Sequence, residues 1–299
     1  MNLTRYRVTT TLTANFDRGV RAHVAVPIDP NLTEEKAIGW CERGDELNLN
    51  PVWNHSGNVA LDMRVETLKV PTKELKRLVR QNTSLDKREA KEFLKGDLRR
   101  KIPSKIKAIP MIWDLSRKLV YFGSQSNGDT EAFLGLFANT FAAVLEVDTW
   151  GSDEGFLTWL FYAVVNEQVT ATLDDKIRLG LGMGKMIVES DFEQARRAVG
   201  EGYTVRELPI WLTVGDKTWG VVLDMAQQYH GVKLPAILAD NQEEVTEELA
   251  LLEQLDGLIR SLWDRYQKRD EGLAVRIKEW ASAERVEPLP ELTSTGPAN

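Results

Sequence analysis

The chain has 299 residues, of which 42% are hydrophobic and 28% are charged, a composition that argues against wholesale disorder and against fibrous repeats. No apolar run approaches the ~20 residues of a membrane span, and the N-terminus leads into a threonine-rich segment instead of an apolar signal core. The single cysteine, Cys41, excludes an intrachain disulfide and a thiolate zinc cluster. These features predict a soluble cytoplasmic protein with no cofactor.

The charge of the chain is unevenly distributed. The net charge is −7, but the segment Arg64–Lys107 carries fifteen Lys and Arg against six Asp and Glu, a local balance of +9 that leaves −16 for the other residues. From Asp240 to the last residue, fourteen acidic side chains oppose seven basic ones. One basic stretch in an acidic chain is typical of a protein that meets a polyanion with a single surface, although a solvated helical face is the plainer interpretation.

Residue patterns in the first part of the chain predict both strands and helices. Alternation predicts strands at Arg5–Leu12, Ala22–Ile28 and Asn58–Val65, whereas Thr33-Glu34-Glu35 suggests the first turn of a helix over Leu32–Cys41. From Pro71 the period becomes helical, with Thr72 as a cap and with Leu75, Leu78 and Val79 as the apolar positions.

A second basic helix is predicted after the break at Asn82-Thr83-Ser84, with Ser84 as its cap and Pro103 at its end. Its expected apolar face consists of Phe93, Leu94, Leu98 and Ile102. The basic residues of this helix are then expected to lie largely on the other side.

The remaining patterns indicate a mixed α+β protein without internal repeats. The predicted strands are Ala108–Asp114, Leu119–Gly123, Val144–Asp148, a pair within Ile177–Glu189, Leu208–Val214 and Thr218–Asp224. The predicted helices are Asp129–Ala143, Glu154–Val165, Asp191–Val199, Glu243–Tyr266 and Leu273–Ala283. The tail from Pro288 to Asn299 is predicted to be disordered.

Catalytic patterns are weak. A metal-dependent nuclease needs clustered carboxylates, often in an acid-x-Lys arrangement, and Asp174-Asp175-Lys176 and Glu146-Val147-Asp148 are fragments of such a site. The same acid-x-Lys pattern occurs at Glu34, Glu74 and Glu89, so it has little diagnostic value in a chain this charged. A nuclease stays open as the less favoured alternative.

Several segments, taken in order, resemble the RdgC family of recombination-associated DNA-binding proteins, in particular its divergent members. The matching segments are Ile38–Trp40, Lys87–Lys107, Met111–Asp114 with Val120–Ser124, Asp129–Val147, Phe156–Leu160, Leu212–Trp219, Leu234-Pro235, Leu249–Arg269 and Trp280. Lys101 and Lys105 take the places of the family's Arg-x-x-x-Arg pair, and Pro103 stands where the family has an aromatic residue at a dimer contact. Lysines keep the charge of the pair but lose the bidentate fork of arginine.

The resemblance implies a mixed α+β chain (residues 1–287, with a basic part at about 64–125 and tip and C-terminal helical parts at about 150–283). It also implies a ring-shaped homodimer around double-stranded DNA, with single-stranded DNA as a secondary ligand. Such a protein is nucleoid-associated, has no catalytic role, and limits recombinase access by competing for DNA. The resemblance assigns DNA contacts to Lys101 and Lys105. Charge and position alone add Lys87, Arg88, Lys91, Lys95, Arg99, Arg100, Lys107, Lys76 and Arg80.

A second alternative to DNA binding is a protein-binding inhibitor. A chain that kept the fold and lost its DNA affinity would then use the acidic C-terminal helices as its partner surface.

Overall fold

The computed structural model describes residues 1–10, 15–55, 57–81, 86–149, 153, 155–173, 176–181, 186–189, 191–225, 228–237 and 242–283. The predicted tail and the residues Asp174, Asp175 and Ser84 lie outside these ranges. Among the described helices, none is long and apolar enough to cross a membrane.

The described residues form a mixed α+β protein with two antiparallel sheets. Its helices are α1 (Phe16–Ala22), α2 (Thr72–Gln81), α3 (Lys87–Lys101), α4 (Asn127–Phe141), α5 (Phe156–Val165), α6 (Phe192–Gly200), α7 (Gln242–Gln267) and α8 (Leu273–Ser282). Its strands are β1 (Thr4–Val8), β2 (Lys36–Cys41), β3 (Asn54–His55), β4 (Asn58–Thr67), β5 (Lys105–Asp114), β6 (Leu119–Phe122), β7 (Leu145–Val147), β8 (Ala171–Leu173), β9 (Ile177–Gly180), β10 (Ile187–Glu189), β11 (Thr204–Val214), β12 (Lys217–Asp224) and β13 (Tyr229–Lys233).

The chain divides into two compact units. The first comprises Met1–Thr149 with Gln228–Gln254, and the second comprises Trp150–Gln227 with Leu255–Asn299. The sheet of the first unit has the strand order β2-β4-β5-β6-β1-β7, with β3 on β4. In the second unit the order β10-β9-β11-β12 has β8 paired with β11.

The core of the first unit lies between one face of its sheet and helix α4. Alternate side chains of the strands point to this face because a strand has a period of two, and they meet the aromatic stripe Phe133, Phe137 and Phe141 of α4. The indole of Trp40 donates a hydrogen bond to the Thr140 hydroxyl at 2.8 Å, which satisfies the polar atom of a fully buried ring.

The opposite face of the same sheet is closed by charged contacts within the first unit. Arg43 donates to Asp62 on β4 at 3.3 Å and to Glu248 on α7 at 2.6 Å, and Arg64 and Glu66 form a buried ion pair at 2.7 Å. The second unit has its own core, in which the largely apolar and almost entirely buried helix α5 packs on β11. Both units therefore use helices to cover sheets, as an α+β fold requires.

Most of the predicted elements are confirmed, with ends shifted by a few residues, and two are wrong. The expected strand Ala22–Ile28 is instead the end of α1 followed by irregular backbone with a single bridge from Val24 to Trp40. The expected helix Leu32–Cys41 contains strand β2, whose residue Trp40 pairs with Met63 of β4. The segment is a strand because its side chains are buried by pairing and packing in the sheet, and this outweighs the helix preference of its acidic first turn.

Gly39 lets the segment around Ala25 lie directly against β2. A Cβ atom at this position would lie 2.4 Å from the Ala25 Cα atom, so only glycine lets the two backbones approach this closely.

Candidate nucleic-acid interface

The basic segment forms a helical hairpin between two neighbouring strands. Strands β4 and β5 pair along their whole length, from Val59 opposite Trp113 to Thr67 opposite Lys105. The segment that joins Thr67 to Lys105 contains α2 and α3. We call these two helices the basic hairpin. It is lightly buried: Leu75 is the buried residue of α2, and Ala90 and Arg99 are those described as buried in α3. Most of its side chains are thus exposed or half-exposed.

One face of α2 is lined by cations. Lys73, Lys76, Arg77 and Arg80 follow the i, i+3, i+4, i+7 spacing that brings side chains to one face of a helix, and with Gln81 they line an open groove of about 430 Å³. Arg77 is held by Glu74 at 2.5 Å. The other three cations form no ion pair with any residue that the structure describes.

Lys76 and Arg80 were predicted from the sequence, whereas Lys73 and Arg77 were missed. The helical spacing of all four cations would have identified them, because the groove consists of one helix face.

Helix α3 adds a second group of cations. Lys87, Arg88 and Lys91 are exposed, and within the described residues none of them forms an ion pair. Lys95 lies 3.2 Å from Glu35, and both side chains are partly exposed. The helix begins at the side chain of Asp86, which accepts the Arg88 backbone N–H at 3.0 Å. Asp86 is thus the N-cap, in place of the predicted Ser84.

The two lysines assigned by the resemblance differ in their surroundings. Lys101 at the end of α3 contacts Asp97 at 2.6 Å, and Arg100 lies 3.9 Å from the same carboxylate. Lys105 at the start of β5 is exposed and has no ion pair in the described part of the chain. Surface pairs of this kind contribute little to stability, so a phosphate group can replace Asp97 as the partner of Lys101.

Lys107 is exposed and bonded to Asp129 in the first turn of α4. Burial favours the neutral carboxyl of Asp129, but hydrogen bonds from Lys107, Ser126 and Ser124 together hold its pKa below the ordinary value. The pair fixes the start of α4 beside β5 and places one more cation on the exposed end of this strand.

Arg99 departs from the expected set of DNA contacts. Its side chain is buried, and it donates hydrogen bonds to the backbone oxygens of Glu34 at 2.6 Å and Pro30 at 3.3 Å. A guanidinium used in this way anchors α3 to the segment before β2. We therefore exclude Arg99 from the candidate interface and keep the other predicted cations.

Phe93 also departs from the sequence interpretation, which placed it on the apolar face of α3. Its side chain is 63% exposed, whereas Leu94 and Leu98 are half-buried. The side of α3 that packs inward therefore includes Ala90, which is buried, together with Leu94 and Leu98, and leaves Phe93 outside it.

The candidate nuclease residues are only partly described by the structure. Asp148 is buried and contacts Arg5 at 2.8 Å and Arg7 at 2.7 Å, so its carboxylate is already held by two arginines. Lys176 is described, whereas Asp174 and Asp175 are outside the described ranges. Within those ranges no group of three His, Cys, Asp or Glu side chains could hold a metal ion.

The acidic C-terminal helices use part of their charge internally. Glu248 is bonded to Arg43, Glu253 lies 2.9 Å from Arg117, and Asp256 is fully buried. The acidic surface that a protein partner could contact is therefore smaller than the sequence suggests.

No protein-family model matches the chain, and a search of curated proteins gives no significant match. Functional inference therefore depends on the basic hairpin and on the resemblance of the sequence segments.

Proposed function

We propose that this protein binds double-stranded DNA through the phosphate backbone, with little sequence preference, and that the basic hairpin is the contact surface. The observation that carries the proposal is the α2 groove, in which Lys73, Lys76, Arg77 and Arg80 share one helix face. The exposed cations Lys87, Arg88, Lys91 and Lys105 extend this surface along α3 and β5.

The spacing of the groove cations suits a phosphate backbone. Seven residues separate Lys73 from Arg80, which is about 10 Å along a helix, and successive phosphates of one DNA strand advance by about 3.4 Å along the duplex axis. Laid parallel to the duplex axis, the α2 face therefore spans about three phosphate-to-phosphate steps of one strand. Point charges arranged along a backbone give affinity without reading bases.

The side chains at this surface favour duplex DNA over single strands. Single-strand binding without sequence preference usually needs aromatic rings beside the cations to stack on unpaired bases. The α2 groove is lined by Lys, Arg and Gln side chains, and Phe93 on α3 is the one exposed aromatic side chain among the described residues of the hairpin, so successive unpaired bases have no row of rings to stack on. Contact with the backbone then provides most of the binding free energy.

The charge elsewhere in the chain limits where DNA can bind. Residues outside Arg64–Lys107 carry a net charge of −16, which repels a polyanion from the rest of the surface. A homodimer, as the resemblance implies, would present two basic segments with about eighteen net positive charges. Occupying DNA in this way would limit access of a recombinase, which is the regulatory role that we propose in a nucleoid-associated setting.

The test is the salt dependence of binding to a labelled duplex, measured by fluorescence anisotropy between about 50 and 200 mM salt, with and without magnesium. The variant Lys76→Gln/Arg80→Gln should lower the slope of log affinity against log salt by about 1.8, because each lost phosphate contact removes about 0.9. The matched control Lys268→Gln/Lys278→Gln changes the same net charge at exposed positions of the second unit and should leave the slope unchanged.

Absence of binding by the wild-type protein at the lowest salt concentration would refute the proposal. Equal slopes for wild type and the Lys76/Arg80 variant would show that DNA binds elsewhere. Cleavage of the duplex with magnesium would favour the nuclease alternative.

A further inference from the structure

Phe93 marks the outer flank of α3. Its side chain is 63% exposed, which is the highest value among the exposed aromatic side chains of the described residues. Glu89, four residues earlier, and Gly96, three residues later, lie on the same helix face, and no neighbouring atom occupies the space beside Gly96. Glu92, three residues after Glu89, lies next to it on the helix surface. This flank, which we call the Phe93 ridge (Glu89, Glu92, Phe93 and Gly96), presents a ring beside two carboxylates.

The carboxylates of the Phe93 ridge are not committed to internal contacts. Glu89 and Glu92 are exposed, and neither forms an ion pair with any described residue. Asp97 differs, because it is bonded to Lys101. Two exposed acids within an otherwise basic hairpin therefore oppose the charge of their surroundings, a pattern suited to contact with cations.

The α2 groove is the chemical complement of this ridge. Its lysine and arginine stems are apolar, while their heads are cationic, so the groove can cover a phenyl ring and meet carboxylates at its rim. Arginine and lysine heads also attract the face of an aromatic ring. The groove is open to solvent and lined by α2 alone, so an incoming ring can lie against the side-chain stems.

Within the described residues, the Phe93 ridge does not occupy the α2 groove of its own chain. The groove cations Lys73, Lys76 and Arg80 lie on the side of α2 away from Leu75, the buried residue of this helix. Helix α2 packs on α3, but the residues that line the groove all belong to α2. A second copy of the chain can supply the ridge.

We infer that the α2 groove of one copy binds the Phe93 ridge of another, and that this self-association competes with DNA for the same cations. The competition depends on the proposed function, whereas the contact between copies does not. By reciprocity of coupled binding, saturating duplex dissociates the contact, and a high protein concentration weakens the apparent DNA affinity. This contact therefore forms when no DNA is bound, and it differs from the contact of a homodimer that holds DNA.

The test is sedimentation velocity of the full chain over a range of concentrations at low salt. Phe93→Ser should weaken self-association about tenfold or more, because a buried ring is lost from the contact. Glu89→Lys/Glu92→Lys and Lys76→Glu/Arg80→Glu should each be monomeric when alone, since both place like charges opposite each other. Mixing these two variants should restore a complex, because one supplies a basic ridge and the other an acidic groove.

The control Glu131→Lys/Asp216→Lys makes the same change in net charge at exposed sites outside the hairpin and should associate as the wild type does. Circular dichroism confirms that each variant is folded. Monomeric wild type, unchanged association of the ridge variants, or no complex in the mixture would overturn the contact.

DNA binding separates this inference from the proposed function. The Glu89/Glu92 variant keeps every groove cation, so it should bind the duplex at least as tightly as the wild type. If it binds DNA but still self-associates, the contact is refuted and the function stands. If the mixed variants form a complex but the wild type never binds DNA, the contact stands and both the function and the competition are refuted.

Discussion

Arg99 and Arg80 carry the same charge on adjacent helices, but the structure predicts opposite consequences of losing them. Arg99 is buried and donates to the Glu34 and Pro30 carbonyl oxygens at 2.6 and 3.3 Å, whereas Arg80 is exposed in the α2 groove. Arg99→Met should therefore destabilise the protein without changing how DNA is bound. Arg80→Gln should do the reverse.

The size of each effect follows from these contacts. Hydrogen bonds from a charged donor contribute about 1.5–3 kcal/mol each, and the 3.3 Å bond lies at the weak end. Because methionine keeps most of the aliphatic stem, Arg99→Met should cost about 2–4 kcal/mol of the free energy of unfolding. This corresponds to a fall in Tm of roughly 5–15 °C. Arg80→Gln should change stability by less than about 0.5 kcal/mol and lower the salt slope by about 0.9.

Two measurements on the same preparations decide the matter: urea unfolding followed by circular dichroism, and duplex binding across the salt series below the lowered Tm. The reasoning is refuted if Arg99→Met keeps wild-type stability but loses salt slope, since Arg99 would then contact phosphate. It is equally refuted if Arg80→Gln unfolds more easily while its slope stays unchanged.

Two further predictions concern titrating groups of the first unit. Burial, reinforced by the nearby Asp62 carboxylate, raises the pKa of the Cys41 thiol to about 12. Ellman's reagent at about pH 8 should therefore label Cys41 in the native protein at least a hundredfold more slowly than Cys41 in the protein unfolded in guanidinium. Equal labelling rates would contradict the buried position of this thiol. The pKa of Asp129 is lowered in the folded state, so its ionised form stabilises the protein above about pH 4 and this contribution disappears as the pH falls. Asp129→Asn should reduce the loss of stability between about pH 5 and 3 in urea titrations, and a loss as steep as that of the wild type would contradict the Lys107 pairing.

Periodicity predicted the elements whose packing is local. The helices α2 and α3 and the β5–β6 hairpin are recognisable because their apolar spacing and turn residues act over a few positions. Strand β2 was predicted as a helix because its conformation depends on pairing with β4, as in the Trp40–Met63 pair. Such long-range pairing leaves no local signal that outweighs an acidic first turn.

The site was predictable in charge but not in geometry. The sequence identifies the basic segment, yet it cannot separate Arg99, whose partners Glu34 and Pro30 are distant in sequence, from exposed cations such as Lys91. It also cannot show that Phe93 is exposed, because an aromatic residue among leucines indicates a core position. Burial of a given side chain is decided by tertiary contacts.

The placement of the basic hairpin between paired strands also bears on how such a surface can change. Because Thr67 and Lys105 are direct partners in the sheet, both ends of the hairpin are fixed one strand spacing apart. A short turn could close the same ladder, since shortening a surface connection has a small entropic effect, but it would remove the Arg99 anchor to the Glu34 and Pro30 carbonyl oxygens. The hairpin can therefore be exchanged where its replacement supplies an equivalent anchor. Its charge, length and partner can vary while β4 and β5 keep their register, as in a domain inserted at a loop of a stable scaffold.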